Sequence, residues 1–225
     1  FKDAYSSSSS LSEAVRKYMN YLFGEYGLIT IDPNSNNLKK NISDIIVDDI
    51  VNNTIEKIEK SSDKVSDVYV RKINFFYQES DLRERIDKTD KYNVLSTSLS
   101  FTEQEIKDKI KSSPELFSPN VITRCLFQQR ILPNVCYLGG PAEIVYWESF
   151  KKFFDNYNIP YPVLVPRDFA LLLTAKVQKL IKKLNLSSID LFEDKNKIEN
   201  KVLAVEADAS KNFKKEIDDI NKILI

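Results

Sequence analysis

Gly139 and Gly140, followed at once by Pro141 and then by Glu143, are the residues whose types and spacing best suit chemistry. Two glycines let a backbone take positive φ and come close to a ligand, and proline is tolerated at the first helical position because its missing N–H has no partner there. The next free amides of such a helix point the same way as the turn, which makes a cradle for a phosphate or carboxylate. Gly-Gly-Pro is also simply a good way to lead a strand into a helix, and the local residues leave both readings open. Glu143 and Tyr146 fall off the apolar stripe of the following helix and are expected to face the mouth of a site, with Asn120, Arg124 and Arg167 as neighbours. Arg83 and Arg85 alternate, so on a strand they share one face. Two guanidiniums there can hold an anion bidentately or meet surface carboxylates.

Other chemistries are excluded. The 225 residues contain no histidine, so this chain offers no Ser-His-Asp triad, histidine metal site or imidazole acid/base. Cys125 and Cys136 are too few for a disulfide framework and lack zinc spacing, so both are expected as buried free thiols and no metal site is expected. Lys and Arg number 33, as do Asp and Glu, leaving no basic footprint for nucleic acid. Apolar runs fall far short of the roughly 20 residues that span a bilayer, and no secretory signal pattern leads the chain. The expectation is a soluble, cytoplasmic protein with no membrane partner. Phe1 at the start and Met19 as the sole methionine suggest a piece of a longer protein.

The site residues need elements to position them. Residues 118–167 read as a helix over 121–132 capped by Asn120, a buried strand over 135–138, the two-glycine turn, and a second helix. In that second helix Ile144, Trp147, Phe150, Phe154 and Tyr157 recur every three or four residues as a core face. A strand over 161–165 then leads to Arg167, and Pro162 places it at an edge or a strand start. Upstream, Ser10 and Glu13 form a capping box for a helix, residues 28–32 read as a core strand, and 38–60 read as one long amphipathic helix. Asp32, at the end of that strand, is either at a ligand edge or a helix cap. Residues 68–77 are strand-like, 82–86 with 92–95 form a hairpin, and Thr102 with Glu105 opens a helix to 111. Strands set between helices predict an α/β fold. Beyond residue 177 there is neither glycine nor proline. Ile198, Val202, Val205, Ala209, Phe213, Ile217, Ile220 and Leu224 follow a heptad-like pattern with one stutter, so 177–225 is expected to be helical hairpin or coiled-coil material.

The words SPNVITRCLFQQRILPNVCYLGGPAEIVYW, with the flanking NIPYPVLVPR, resemble the central region of the bacillithiol-biosynthesis cysteine-adding enzymes, the BshC family of cysteine ligases. LFGEYGLITIDP and NFFYQESDLRERI match the same family. The resemblance implies a partial Rossmann-like core of the nucleotidyltransferase type, with an inserted connecting segment and a helical coiled coil that supports a homodimer. It places core in 1–60 (helix, strand, helix) and 118–173, the insertion in 61–117, and the start of the coiled-coil region in 174–225. The implied reaction joins cysteine to glucosaminyl malate through an amide bond, with ATP expected to activate the cysteine carboxylate. Arg124 would then neutralise a malate or phosphate oxygen and Glu143 steer the amine, while the general base stays unassigned. By this resemblance the family's first Rossmann half, where a nucleotide-binding signature would sit, is expected to lie outside this chain, Cys125 stands where proline is expected in relatives, and the isolated fragment is expected to be inactive. The competing expectation is a non-catalytic α/β and coiled-coil interaction module.

Overall fold

The computed structural model describes residues 1–210, and the chain divides into one unit, Phe1–Arg167, and a second beginning at Asp168. In the first unit, helices α1 (Lys2–Ser6) and α2 (Leu11–Phe23) lead into an irregular segment, with Ser10 capping α2 by accepting from the Glu13 amide. Helices α3 (Asn36–Lys39), α4 (Ser43–Val47) and α5 (Thr54–Ser61) follow. A five-stranded antiparallel sheet is then built from β1 (Phe75–Glu79), β2 (Leu82–Lys88), β3 (Tyr92–Val94), β4 (Ser100–Phe101) and, after helix α6 (Glu103–Ser112), β5 (Phe117–Pro119). Its order is β4-β3-β2-β1-β5. Helix α7 (Val121–Ile131) connects to β6 (Cys136–Gly139), helix α8 (Pro141–Asn156) and β7 (Val163–Pro166), and β6 and β7 pair in parallel. This β6-α8-β7 crossover is the one parallel unit among the described residues. Parallel neighbours require such a connection because a tight hairpin cannot join them.

Side-chain alternation gives the five-stranded sheet two different faces. Phe75, Tyr77, Ile86, Tyr92, Val94 and Phe117 are buried in a core shared with Ile42, Ile45, Ile46 and the α8 residues Trp147, Phe150, Phe153 and Phe154. The register Phe76↔Arg85, Gln78↔Arg83 and Phe76↔Ser118 puts Phe76, Arg83, Arg85 and Ser118 on the opposite face. The hairpin of arginine-bearing β2 with β3 thus forms as expected, and so does the capping box of α6, where Thr102 accepts from the Glu105 amide and the Glu105 carboxylate accepts from the Thr102 amide at 2.7 Å.

Several expectations are corrected. Residues 28–32 join no ladder, and Ile29 is 79% exposed, because a strand needs a neighbour's hydrogen bonds and no described strand lies beside it. Asp32 instead accepts from the Asn34 amide at 3.0 Å and faces Arg16 at 3.7 Å, while Ser35 precedes α3. The long helix expected over 38–60 is broken. A π-helical turn, Asp48–Asn52, ends at Asn53, whose φ of 54° is left-handed, and the Asn53 side chain donates to Lys72 O at 3.0 Å. Strand structure begins at Phe75, since the preceding residues serve as a loop. The strand β6 is not buried: α8 does not cover its outer side, so Val135 beside it is 86% and Leu138 64% exposed, and Cys136 is exposed rather than a buried thiol.

The second unit holds α9 (Ala175–Lys183), capped by Thr174, and α10 (Lys195–Ser210). Ile198, Val202, Val205 and Ala209 fall on α10, whereas Phe213, Ile217, Ile220 and Leu224 lie outside the described residues, so the heptad expectation stands only as a pattern. Among the described residues no helix is long and apolar enough to cross a membrane.

Candidate functional site

Strand β6 carries the chain straight into the Gly139-Gly140 turn, and Pro141 starts α8 there. Neither glycine takes a positive φ, so the need for glycine is spatial. A Cβ on Gly139 would sit 2.8 Å from Tyr137 Cε1 and 3.1 Å from Ile144 Cδ1, while one on Gly140 would meet Arg167 Nη2 at 3.1 Å. Arg167 reaches this point because its amide donates to Gly139 O at 2.9 Å, which continues the β6-β7 ladder by one residue. A guanidinium therefore lies against the start of α8, where the helix dipole is already positive. The Gly140 amide donates to Glu143 Oε2 at 2.7 Å, so the first donor of the expected cradle is met by a carboxylate of the same helix. Glu143 Oε1 accepts from the Tyr137 hydroxyl at 3.3 Å, and the Tyr137 ring stacks on Trp147 with centroids 4.1 Å apart.

The charge of Glu143 reaches further. Burial raises the Tyr137 hydroxyl to about 12, with Glu143 and Tyr146 adding to the shift. Tyr146 is raised as well, by burial first and then by Cys125 and Glu143, with Arg124 opposing. Burial pushes the Cys125 thiol well up, and its Sγ donates to Val121 O at 3.3 Å. Arg124, Cys125, Glu143 and Tyr146 consequently form one electrostatic neighbourhood spanning α7 and α8.

Asn120 does what its position before α7 predicts. Its Oδ1 accepts from the Ile122 and Thr123 amides at 2.9 and 3.1 Å, and its Nδ2 donates to Asn74 Oδ1 at 3.0 Å. Asn74 in turn receives Asn120 N at 3.0 Å and Thr123 Oγ1 at 2.9 Å on its carbonyl, and donates to the fully buried Asp49. Asn120 is thus engaged in holding α7 to the sheet and to the loop before β1.

Arg124 and Tyr146 do meet open space. With Asn120 they line a cavity of about 750 Å³ on the arginine face of the five-stranded sheet, into which Arg71, Lys72, Arg83 and Arg85 also project. Tyr69 and Phe76 contribute aromatic walls. Of the residues expected at a site, the structure therefore brings Asn120, Arg124 and Tyr146 to this cavity, and Gly139, Gly140, Glu143 and Arg167 to the adjoining turn. Sequence reasoning missed Arg71, Lys72 and the aromatic walls. The alternation of Arg83 and Arg85 was the one signal that pointed to this face. No cluster of His, Cys, Asp or Glu fit for a metal occurs among the described residues.

Residues 1–168 match the family described as "Bacillithiol biosynthesis BshC, N-terminal Rossmann-like domain". Proteins named "Putative cysteine ligase BshC" are among the relatives. One from Flavobacterium johnsoniae is 40% identical over 208 residues, covering 90% of this chain and 39% of that protein. One from Cytophaga hutchinsonii is 40% identical over 200 residues, covering 85% and 38%. A more distant one from Lysinibacillus sphaericus is 28% identical over 204 residues, covering 86% and 38%. The chain spans about two fifths of the length of these curated relatives.

Proposed function

This chain belongs to the bacillithiol-biosynthesis BshC family, and on that footing we propose that it forms one wall of the substrate site of a cysteine ligase, which joins cysteine to glucosaminyl malate through an amide bond. The observation that carries this reading is that Arg124 and Tyr146 line one cavity while Glu143 accepts from the Gly140 amide at the two-glycine turn. Amide formation needs a carboxyl carbon held against an amine with water kept out, so positioning and charge stabilisation supply most of the rate. Arg124 at the cavity neutralises an anionic oxygen of substrate. Glu143 accepts from an N–H donor already, which is the interaction an incoming ammonium would extend or replace.

ATP is the expected cosubstrate, and one feature fits its phosphates: the Arg167 guanidinium at the positive end of α8, against Gly140. When bound, ATP supplies activation of the cysteine carboxylate. The amides after Pro141 add about 0.3–1 kcal/mol of stabilisation to negative charge at such a helix end. The nucleotidyltransferase-type character of the core belongs to the same proposal, as does the assignment of 61–117 as an insertion between core segments 1–60 and 118–173.

A second reading is favoured by one observation, the exposure of Leu172, Val177, Leu180 and Phe192 in the second unit: a helical region from 174 that serves a homodimer and leaves the α/β unit as scaffold. Light scattering on the chain with and without residues 197–225 tests that part. The ligase reading is tested on the complete protein by mass-spectrometric detection of cysteinyl product from cysteine, glucosaminyl malate and ATP. Loss of turnover in Arg124→Ala and Gly140→Val supports it, and unchanged turnover in both removes these residues from the site.

A further inference from the structure

The cavity on the arginine face of the sheet gathers more positive charge than its own lining neutralises. Arg71, Lys72, Arg83, Arg85 and Arg124 project there, against the single carboxylate of Asp87. Among the described residues none of these five cations has a carboxylate within 4.0 Å, although α2, α5, α6, α8 and α10 each carry such a pair.

Arg83 is held in place without being neutralised. Its Nε donates to Ser118 Oγ at 3.1 Å, its Nη2 donates to Pro119 O at 3.3 Å, and its guanidinium carbon lies 3.9 Å from the Phe76 ring centroid. A hydroxyl, a carbonyl and a ring face fix the plane of the fork while leaving donors of its five N–H groups unused. The charge of Arg124 bears on Arg83 and, after burial, disfavours its protonated form. Arg85 shares the face two residues along, and the loop carrying Arg71 is itself tied down, since Asn74 exchanges hydrogen bonds with Arg71 N at 3.1 Å and Arg71 O at 2.8 Å. Like charges gathered in a concave site are an arrangement that an anion relieves.

We propose that this cavity is a binding site for a dianion, a dicarboxylate or a phosphoryl group, with Arg83 as its anchor and Arg124 and Arg85 as its flanks. A dianion can engage two forks at once, which a monocarboxylate cannot do with full charge. At about 750 Å³ the cavity is far larger than the anion itself, and Tyr69, Phe76 and Tyr146 offer apolar wall to the remainder of a larger molecule. The dianion is therefore the terminal group of that molecule. Taking that molecule to be a substrate rests on the ligase reading; the existence of the site does not.

Isothermal titration of the 225-residue chain with succinate, with inorganic phosphate and with acetate at constant ionic strength is the test. At least one dianion binds with an affinity tenfold or more above acetate, and the one that does identifies the chemistry. Arg83→Met weakens that binding at least tenfold, Arg85→Gln weakens it several-fold, and Lys60→Met, which removes a surface cation paired with Glu56, leaves it unchanged. Should neither dianion exceed acetate, or should Arg83→Met and Arg85→Gln both bind as the parent does, the site is refuted. The Arg85 variant decides the matter if the Arg83 variant does not fold. Dianion binding by a complete protein that makes no cysteinyl product sinks the ligase reading and keeps the site, whereas product formation indifferent to both substitutions keeps the ligase reading and shows that the molecule bound here is not its substrate.

Discussion

Replacing Asp49 by asparagine should flatten the pH dependence of folding. Asp49 is 0% exposed, and loss of solvation is the largest influence on its carboxyl, which is pushed up to about 7. The hydrogen bonds from Asn74 N at 2.6 Å and Nδ2 at 2.9 Å act the other way, and the neighbouring charge of Asp48 adds to the upward push. An acid that binds its proton more tightly in the folded than in the unfolded chain contributes stability that is complete below the unfolded pKa and is lost as pH rises through the folded one. For a folded value of about 7 against the ordinary 3.8, that loss between about pH 5 and about pH 8 is about 2–3 kcal/mol. It is a substantial share of the roughly 5–15 kcal/mol that holds a domain together. Urea unfolding of the parent and Asp49→Asn at both pH values gives a double difference in which the other carboxylates cancel. The parent should lose about 2–3 kcal/mol more than the variant over this interval. Equal slopes would refute the dominance of burial, and a parent that gains stability relative to the variant would show that the Asn74 bonds hold Asp49 ionised.

Gly139→Ala should cost about 1–3 kcal/mol by overpacking against Tyr137 and Ile144, whereas Gly140→Ala, which presses only on the exposed Arg167 side chain, should stay under about 1 kcal/mol; thermal unfolding of the two variants checks the contrast. Asn120→Ala removes both cap bonds of α7 and the link to Asn74, for a loss of about 0.5–2 kcal/mol from the cap alone, read by urea unfolding. Of the two thiols, the exposed Cys136 should react with a disulfide reagent in the native protein, and Cys125, buried with its thiol pushed well up, should react only after denaturant is added. Two equally fast thiols in the native protein would contradict the burial of Cys125.

What could be read from residues alone was local in origin. Thr102 with Glu105, Ser10 with Glu13, and Asn120 announce helix starts because the bonds they make span two or three residues. Gly-Gly-Pro likewise encodes a strand-to-helix turn within three positions, whereas Glu143, expected to face the mouth of a site, turns back to accept from the Gly140 amide. What could not be read depends on partners far along the chain. The break at Asn53 is supported by Lys72 O, 19 residues away, so the isoleucine periodicity around it looks continuous while the backbone is not. Residues 28–32 have strand composition, but composition cannot supply the neighbour whose hydrogen bonds make a strand. The cavity is the strongest case. Alternation places Arg83 beside Arg85, yet nothing in that pair reveals that pairing of β1 with β5 will set Ser118 and Phe76 around one guanidinium, or that a loop and a helix start will add Arg71, Lys72 and Arg124. Residues whose charges would repel if they met are dispersed harmlessly in sequence, and only the fold turns them into a demand for an anion.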